Sequence, residues 1–340
     1  MRKATTGVLL INTGSSSAPR TVETRAYLKQ FLSDHRVIDI AAWKRWILVN
    51  CFILPFRPKY TAEAYKLIWT ERGSPLLAIS EDFAEALAKE LLDMHIEIGM
   101  AYGDPSIEAG MDRLIEKGAD RIIIAPMFPQ YASATTGAVF ERSFTHAAKK
   151  LNVPNIAALP PFYDDEGYLD AWQAVAEEKL AVFKPDHVLL SYHGLPERHI
   201  KNCDPSGSHC LVKDDCCDVL NDANKNCYRR HCTVTAQGLI PRLGLKEGNY
   251  SLTFQSRLGR DPWLTPATDQ RIVALAKEGV KRLAVLSPAF TADCLETLEE
   301  IGMQAKESFI ENGGEAFELI PSLNTHPQWV SAFAGIIKSV

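Results

Sequence analysis

The stretch Lys117-Gly-Ala-Asp-Arg-Ile-Ile-Ile-Ala-Pro126 and the later stretch Glu278-Gly-Val-Lys-Arg-Leu-Ala-Val-Leu-Ser-Pro288 decide the fold. In each, a glycine that ends a helix is followed by an apolar strand that stops at a proline. An earlier strand, a polar turn with Asp-Pro and a helix precede each stretch, starting at Ile96 in the first case and Ser251 in the second. Two copies of one strand–helix–strand unit predict two similar α/β halves of roughly 160 residues each.

The remaining hydrophobic pattern agrees with this interpretation. Short apolar runs alternate with longer segments of helical periodicity, which is typical of a parallel, doubly wound sheet. We therefore expect two Rossmann-like halves, each a parallel sheet flanked by helices, with the active-site cleft between them. The first half should comprise residues 1–159 and 323–340, and the second residues 160–322. The predicted strands are Val8–Ile11, Ile96–Met100, Arg121–Pro126, Val188–Ser191, Ser251–Gln255 and Leu283–Ser287, and the predicted helices are Glu81–Leu92, Ile107–Lys117, Leu169–Phe183 and Asp269–Gly279.

Composition excludes several classes of protein. The 340 residues are 46% hydrophobic and 23% charged, as in a globular protein with well-filled cores. The net charge is −5 and basic residues form no run, so we expect no nucleic-acid partner. No secretion signal and no membrane-spanning run is recognisable, which predicts a cytoplasmic location.

Two motifs that follow strands carry candidate catalytic groups. Ser191-Tyr-His-Gly-Leu-Pro196 places His193 at the end of a strand, where an imidazole can accept a proton near neutral pH. Asp293, Glu296 and Glu300 are spaced to share one face of a helix, where their oxygens could pass protons or divalent cations. A hydrogen-bonded loop histidine and a solvated acidic first turn are the structural alternatives.

The cysteines are clustered. Six of the eight lie in residues 203–232, a stretch poor in apolar side chains: Cys203, Cys210, Cys216, Cys217, Cys227 and Cys232. A metal centre would explain how such a stretch stays ordered, and in a reducing compartment disulfides are the weaker interpretation. Four thiolates could hold zinc or a [2Fe-2S] cluster, and the spacings do not identify which four of the six.

Taken together, these motifs resemble those of the ferrochelatases, and the resemblance covers nearly the whole chain. The motifs that carry it are Leu9-Leu-Ile-Asn-Thr-Gly14, Gly73-Ser-Pro-Leu76, Phe128-Pro-Gln-Tyr131, Ser191-Tyr-His-Gly-Leu-Pro196, Phe254-Gln-Ser-Arg257 and Ala289-Phe-Thr-Ala-Asp-Cys-Leu-Glu-Thr-Leu298. The resemblance implies a lyase that inserts Fe(II) into protoporphyrin IX to give protohaem and two protons. A coproporphyrin chelatase, or a cytosolic haem or porphyrin carrier without activity, are the alternatives.

The resemblance also implies roles for single residues. His193 and Glu296 match the two groups that face each other across the porphyrin in the family, and Glu300 matches the next acid behind Glu296; these three are the candidate ligands of the substrate iron. The residues expected to bind the porphyrin are Arg57, Tyr65, Tyr102 and Phe128, to which the aromatic ring of Trp263 adds a candidate wall of the pocket. The segment 43–55 corresponds to an apolar lip, which could contact the inner membrane peripherally.

The sequence departs from the animal enzymes at three positions. Cys294 stands where they have a second histidine, Phe128 where they have a tyrosine, and Ser133 where they have a cluster cysteine. Some bacterial ferrochelatases are similar to this chain in having an internal cysteine-rich insertion after the histidine loop. The resemblance therefore favours a [2Fe-2S] cluster over zinc, held by four of the six clustered cysteines.

Overall fold

The structure is a computed structural model, and it describes residues 5–257, 259 and 261–340. Two four-stranded parallel sheets form its framework, with strand orders β2-β1-β3-β4 and β6-β5-β7-β8. The strands are β1 (Thr6–Gly14), β2 (Met94–Tyr102), β3 (Arg121–Pro126), β4 (Asn155–Ala158), β5 (His187–His193), β6 (Tyr250–Gln255), β7 (Arg282–Leu286) and β8 (Ala316–Leu319).

Twelve α-helices and three π-helices are assigned in the part of the chain that the structure describes. The α-helices are α1 (Thr21–Ser33), α2 (Ala42–Ile47), α3 (Arg57–Ile68), α4 (Pro75–Glu90), α5 (Ile107–Glu116), α6 (Ala138–Ala148), α7 (Glu166–Phe183), α8 (Glu197–Asn202), α9 (Tyr228–Arg242), α10 (Thr268–Lys277), α11 (Lys306–Glu311) and α12 (Pro327–Lys338). The π-helices are Leu48–Ile53, Ser133–Gly137 and Glu296–Ala305.

Local chemistry explains where several helices begin. The side chains of Ser106 and Asp165 accept hydrogen bonds from the backbone N–H groups of Ala109 (3.2 Å) and Tyr168 (2.9 Å), capping α5 and α7. Pro75 occupies the first position of α4, where its missing N–H costs nothing. No helix among the described residues is long and apolar enough to cross a membrane.

The repeat that the sequence showed is confirmed by the identical order of strands in the two sheets. One detail of it was wrong. The Asp-Pro pairs of the sequence align Pro105 with Pro262, whereas the structure aligns Pro105 with Pro266. The carbonyl of Pro105 accepts a hydrogen bond from the N–H of Met100 in β2 (2.7 Å), and the carbonyl of Pro266 accepts one from the N–H of Phe254 in β6 (2.9 Å). The sequence comparison followed the Asp-Pro pairs, whereas the backbone hydrogen bonds define the equivalent positions.

The chain divides into two compact units. The first comprises residues 1–128, 133–160 and 330–340, and the second residues 129–132 and 161–329. The bounds expected from the sequence, 1–159 with 323–340 and 160–322, stay a prediction. Of the two compact units, the second includes residues 129–132 and 323–329. Hydrogen bonds from Gln130 to Thr235 (3.1 Å) and from the N–H of Tyr131 to His231 (3.1 Å) tie the first of these short segments there.

Each unit has its own apolar core. In the first, Leu9, Ile11 and Ile122 from the strands pack with Met111 and Leu114 of α5. A Cβ atom at Gly110 would lie 2.5 Å from Leu9 and 2.7 Å from the carbonyl of Ile98, so α5 approaches the sheet as closely as a glycine allows. The second core is built from Leu189, Ile272, Leu283, Val285 and Phe309. Both sheets are thus rigid supports for the residues that follow their strands.

Candidate functional site

His193 is the last residue of β5 and is half-buried, while the six residues before it in the strand are fully buried. Its Nδ1 lies 2.6 Å from the carbonyl oxygen of Gly194. Because a carbonyl can only accept, Nδ1 carries the proton and the lone pair is on Nε2. Burial lowers the pKa of His193, against the opposing effect of the Glu296 charge. The imidazole is therefore a neutral base near pH 7.

Gln255, the last residue of β6, connects His193 with Glu296. Its side chain is 2% exposed. Oε1 accepts from the hydroxyl of Ser191 at 2.8 Å, and Nε2 donates to the backbone carbonyl of Glu296 at 3.2 Å. Its own backbone carbonyl accepts from the N–H of Gly194 at 2.7 Å. One buried side chain thus fixes the histidine strand relative to the start of the acidic helix.

The acidic segment forms a π-helix, Glu296–Ala305, instead of the expected α-helix. Glu296 is its first residue, and the charges of Glu296 and Glu300 act on each other within it. Stretches of π-helix are rare and occur frequently at functional sites. The spacing of the acidic residues in the sequence does not distinguish a π-helix from an α-helix.

Asp293 does not belong to this acidic row. Its carboxylate is 6% exposed and accepts three hydrogen bonds, from Thr297 (2.9 Å), the N–H of Ser322 (3.2 Å) and Asn324 (2.7 Å). These bonds argue against the expectation that Asp293 shares with Glu296 and Glu300 in passing protons or cations. Two of its three donors, Ser322 and Asn324, come from a distant part of the chain, and they give the carboxylate a structural role.

Glu300 is held by the residue after Gln255. Ser256 donates to its carboxylate from the backbone N–H (2.8 Å) and from the hydroxyl (2.5 Å). Ser256 adopts φ +66°, a left-handed conformation that a serine rarely takes. Burial raises the pKa of Glu300 to about 7, helped by the Glu296 charge and opposed by the Ser256 bonds. Glu300 can therefore gain or lose a proton at neutral pH.

The residues expected to bind the porphyrin lie in different environments. Trp263 is beside the histidine loop: it pairs with Pro196, and its ring would be 3.3 Å from a Cβ atom added to Gly194. Arg57 is exposed at the start of α3, and Phe128 packs against the core of the first unit. The structure brings Trp263 together with His193 in the second unit; the binding roles stay predictions.

The two tyrosines of this set are buried. Tyr65 is 4% exposed and packs edge-on against Trp69. Tyr102 is also 4% exposed, and its hydroxyl donates to Asp34 at 2.9 Å. Tyr102 is thus a member of the first unit's core in this structure, with its polar atom already bonded.

The cysteine-rich stretch has no regular secondary structure between α8 and α9. Polar side chains organise it instead. Asp204 accepts from the N–H groups of Ser206, His209 and Cys210, and Asn224 donates to the carbonyls of Cys216 and Val219. All six thiols are free of disulfides, and five of the six cysteines are buried, Cys203 being half-buried. No metal site of three or more ligands is preformed among the described residues.

The sequence missed the residues that hold the catalytic candidates in place: Gln255, Ser256 and Tyr228. Gln255 and Ser256 lie in a recognised motif, directly after a strand, which was the available signal. No sequence signal pointed to Tyr228, because its hydroxyl bonds to the backbone carbonyl of His193, which is far away in the sequence.

The chain is similar to known proteins along nearly its whole length. The "Ferrochelatase" family model matches residues 5–340. A ferrochelatase of Bdellovibrio bacteriovorus is 43% identical over 336 residues, 98% of this chain and 99% of that protein. One of Coxiella burnetii is 43% identical over 333 residues, covering 98% and 93% of the two chains. The solved structure of SirB from Bacillus subtilis with Fe3+ superimposes with a TM-score of 0.57 at 13% identity, over 98% of this chain and 95% of that one, and so supports the fold. The chain belongs to the ferrochelatase family.

Proposed function

We propose that this protein is a protoporphyrin ferrochelatase and acts as a lyase. Two porphyrin N–H bonds break, Fe(II) takes the place of the two hydrogens, and two protons leave. The observation that carries the proposal is the bridge from Gln255 to Glu296, which holds a neutral imidazole and a pair of carboxylates at fixed positions in one unit. Fixed placement of proton acceptors is what deprotonation of a bound ring requires.

His193 accepts a pyrrole proton in this mechanism. Its Nε2 lone pair is available because Nδ1–H is bonded to Gly194. Burial lowers the pKa of His193. The imidazole is therefore unprotonated before the reaction and readily releases the pyrrole proton that it accepts.

Glu296 and Glu300 act as the second group. With a pKa of about 7, Glu300 exchanges protons with water at neutral pH, and Glu296 stands before it at the start of the π-helix. Carboxylate oxygens also bind Fe(II) and release it again, so the pair can serve metal or protons.

An anaerobic assay of Fe(II) uptake by protoporphyrin IX tests the proposal. We expect His193→Ala to lose nearly all turnover while porphyrin binding changes by no more than a few fold. His35→Ala is the control, because His35 is an exposed histidine of the first unit. Turnover near that of the unsubstituted protein in His193→Ala would remove His193 from the mechanism.

The alternatives are not favoured. A haem or porphyrin carrier needs no proton acceptor, whereas this site holds a neutral imidazole and a carboxylate that titrates near pH 7. Turnover with protoporphyrin and coproporphyrin in parallel distinguishes the two chelatase activities, and we expect faster turnover with protoporphyrin.

The cysteine-rich stretch is proposed to hold a [2Fe-2S] cluster. The thiol of Cys227 interacts electrostatically with those of the other five cysteines of the stretch, and Cys216 and Cys217 have their sulfurs 3.9 Å apart. The group therefore suits a cluster held by four of the six cysteines, with Cys210 and Cys227 among the candidates. Such a cluster would cross-link the stretch, which has too few apolar side chains to form a core of its own.

Iron and sulfide analysis with visible absorption tests this assignment. We expect the anaerobically isolated protein to be brown and the Cys210→Ser variant to lose this colour. The control is Cys51→Ser, because Cys51 is an exposed cysteine outside the stretch. A colourless protein with one zinc would refute the cluster and leave the chelatase proposal intact.

A peripheral membrane contact on the cytoplasmic side is proposed for the segment from α2 to α3. Large apolar side chains there are exposed by 62 to 74%: Trp43, Trp46, Phe52, Phe56 and Tyr60. Buried Val49 and Leu54 hold the same segment on the first unit. A segment that is anchored to the first unit and exposes aromatic rings, and that also carries Lys44 and Arg57, suits an anionic lipid surface.

A further inference from the structure

Tyr228 links the cysteine-rich stretch directly to the candidate base. It is the first residue of α9 and follows Cys227 in the chain. The side chain is 6% exposed, and its hydroxyl donates to the backbone carbonyl of His193 at 2.8 Å. The two residues lie 35 positions apart.

This bond completes the anchoring of one peptide group. The peptide between His193 and Gly194 has its carbonyl bonded to Tyr228, and its N–H donates to the carbonyl of Gln255 at 2.7 Å. The next carbonyl, that of Gly194, accepts from Nδ1 of the imidazole at 2.6 Å. Rotation of the anchored peptide would move the carbonyl that sets the tautomer of His193.

The space around Gly194 is tightly packed. A Cβ atom at Gly194 would lie 2.7 Å from the carbonyl of Gln255 and 3.3 Å from the ring of Trp263. The loop is therefore packed against β6 on one side, and Tyr228 bonds the peptide carbonyl.

The position of Tyr228 is set by the stretch that precedes it. The N–H of Cys227 donates to the carbonyl of Asn224 (2.9 Å), and His231, one turn into α9, bonds to the carbonyl of Lys225 (2.8 Å). The other ring nitrogen of His231 accepts from the N–H of Tyr131 (3.1 Å). The first turn of α9 is thus fixed both by the cysteine-rich stretch and by residues 129–132.

We propose that Tyr228 is a positioning residue that couples the folded state of the cysteine-rich stretch to the orientation of His193. The inference rests on the proposed role of His193 and assigns that stretch a part in turnover besides the binding of a cluster. The coupling requires no change in the cluster itself, because it passes through a hydrogen bond of the protein chain.

The test is Tyr228→Phe, which removes the hydroxyl and keeps the ring. Tyr168→Phe is the matched control: Tyr168 is fully buried, and its hydroxyl donates to a backbone carbonyl at Pro288. We expect kcat to fall by about tenfold or more in Tyr228→Phe, with KM for protoporphyrin within about twofold, because misplacement of a reacting group lowers kcat. Tyr168→Phe should keep kcat within about twofold.

A spectroscopic measurement separates positioning from a loss of stability. In the unsubstituted protein, 15N NMR of the imidazole should show His193 protonated at Nδ1, assigned by the signal that disappears in His193→Ala. In Tyr228→Phe we expect a mixture of the two neutral tautomers. His193 protonated at Nε2 in the unsubstituted protein would overturn the inference whether or not the variant folds.

Two further outcomes are distinguishable. If His193→Ala loses turnover and Tyr228→Phe matches Tyr168→Phe in kcat and tautomer, the positioning role is refuted and the proposed function stands. If His193→Ala retains turnover, the proposed role of His193 fails, and the inference fails with it.

Discussion

Substitution of Glu300 by Gln should make the protein more stable at alkaline pH. The folded pKa of Glu300 is about 7, against 4.5 for a solvated glutamate. Because the folded pKa is raised, its stabilising contribution is complete below pH 4.5 and is lost as the pH rises through 7. The gap of about 2.5 pH units, at about 1.4 kcal/mol per unit, amounts to about 3.5 kcal/mol as an upper bound.

Glutamine imitates the protonated acid at this position. Its amide oxygen can accept from the N–H of Ser256, and its NH₂ can donate to the serine hydroxyl, so both contacts survive without the charge. Between pH 5 and pH 8, the free energy of unfolding of Glu300→Gln should rise relative to the unsubstituted protein by about 2 kcal/mol.

Urea unfolding at pH 5, 6, 7 and 8 measures this difference. Glu307→Gln is the control, since Glu307 is an exposed carboxylate in the helix that follows the π-helix. A difference between Glu300→Gln and the unsubstituted protein that stays constant with pH would show that Glu300 is not a buried acid with a raised pKa. Turnover should fall in the same variant, since an amide cannot carry a proton for the reaction.

The other predictions concern neighbouring contacts and the exposed segment. Asp293→Asn should lower the free energy of unfolding by about 1 to 3 kcal/mol through weaker acceptor bonds, yet leave kcat within about threefold; an assay showing lost turnover in folded Asp293→Asn would return this carboxylate to the reaction. Gln255→Leu should lower both the Tm and kcat, the latter by about tenfold or more, because Ser191 and the Glu296 carbonyl lose a partner; unchanged kinetics would mean that the bridge does not set the site. Trp46→Ser with Phe52→Ser should weaken sedimentation with anionic phospholipid vesicles, whereas Leu151→Ser, equally apolar and 99% exposed, should not; equal effects would refute the proposed membrane contact.

The strands were predictable because burial on both faces leaves an unbroken apolar run in the sequence. Ile122, Ile123 and Ile124 made β3 recognisable, and its bounds came out as Arg121–Pro126. The edge strands β4 and β8 were missed, since each has only four residues and its side chains are mostly half-exposed or exposed. Their pairing with β3 and β7 depends on neighbours that no local pattern reveals.

Within the candidate site, the sequence motifs and the family resemblance singled out His193, Glu296 and Glu300, which lie at or after the ends of strands, where ligands bind in such folds. Their roles stay predictions. What the side chains do there was decided by contacts between distant residues. Asn324 binds the carboxylate of Asp293, burial raises the proton affinity of Glu300 against the hydrogen bonds from Ser256, and a π-helix carries both glutamates.

The sequence by itself thus determined the two sheets and the chemical types at their ends, because strand burial and local turn chemistry are encoded by neighbouring residues. Only the tertiary structure decided the tautomer of His193 and the residues that hold it, Gln255 and Tyr228. Hydrogen bonds to backbone carbonyls need a donor at the right distance and no particular sequence around the acceptor, so they leave no pattern along the chain.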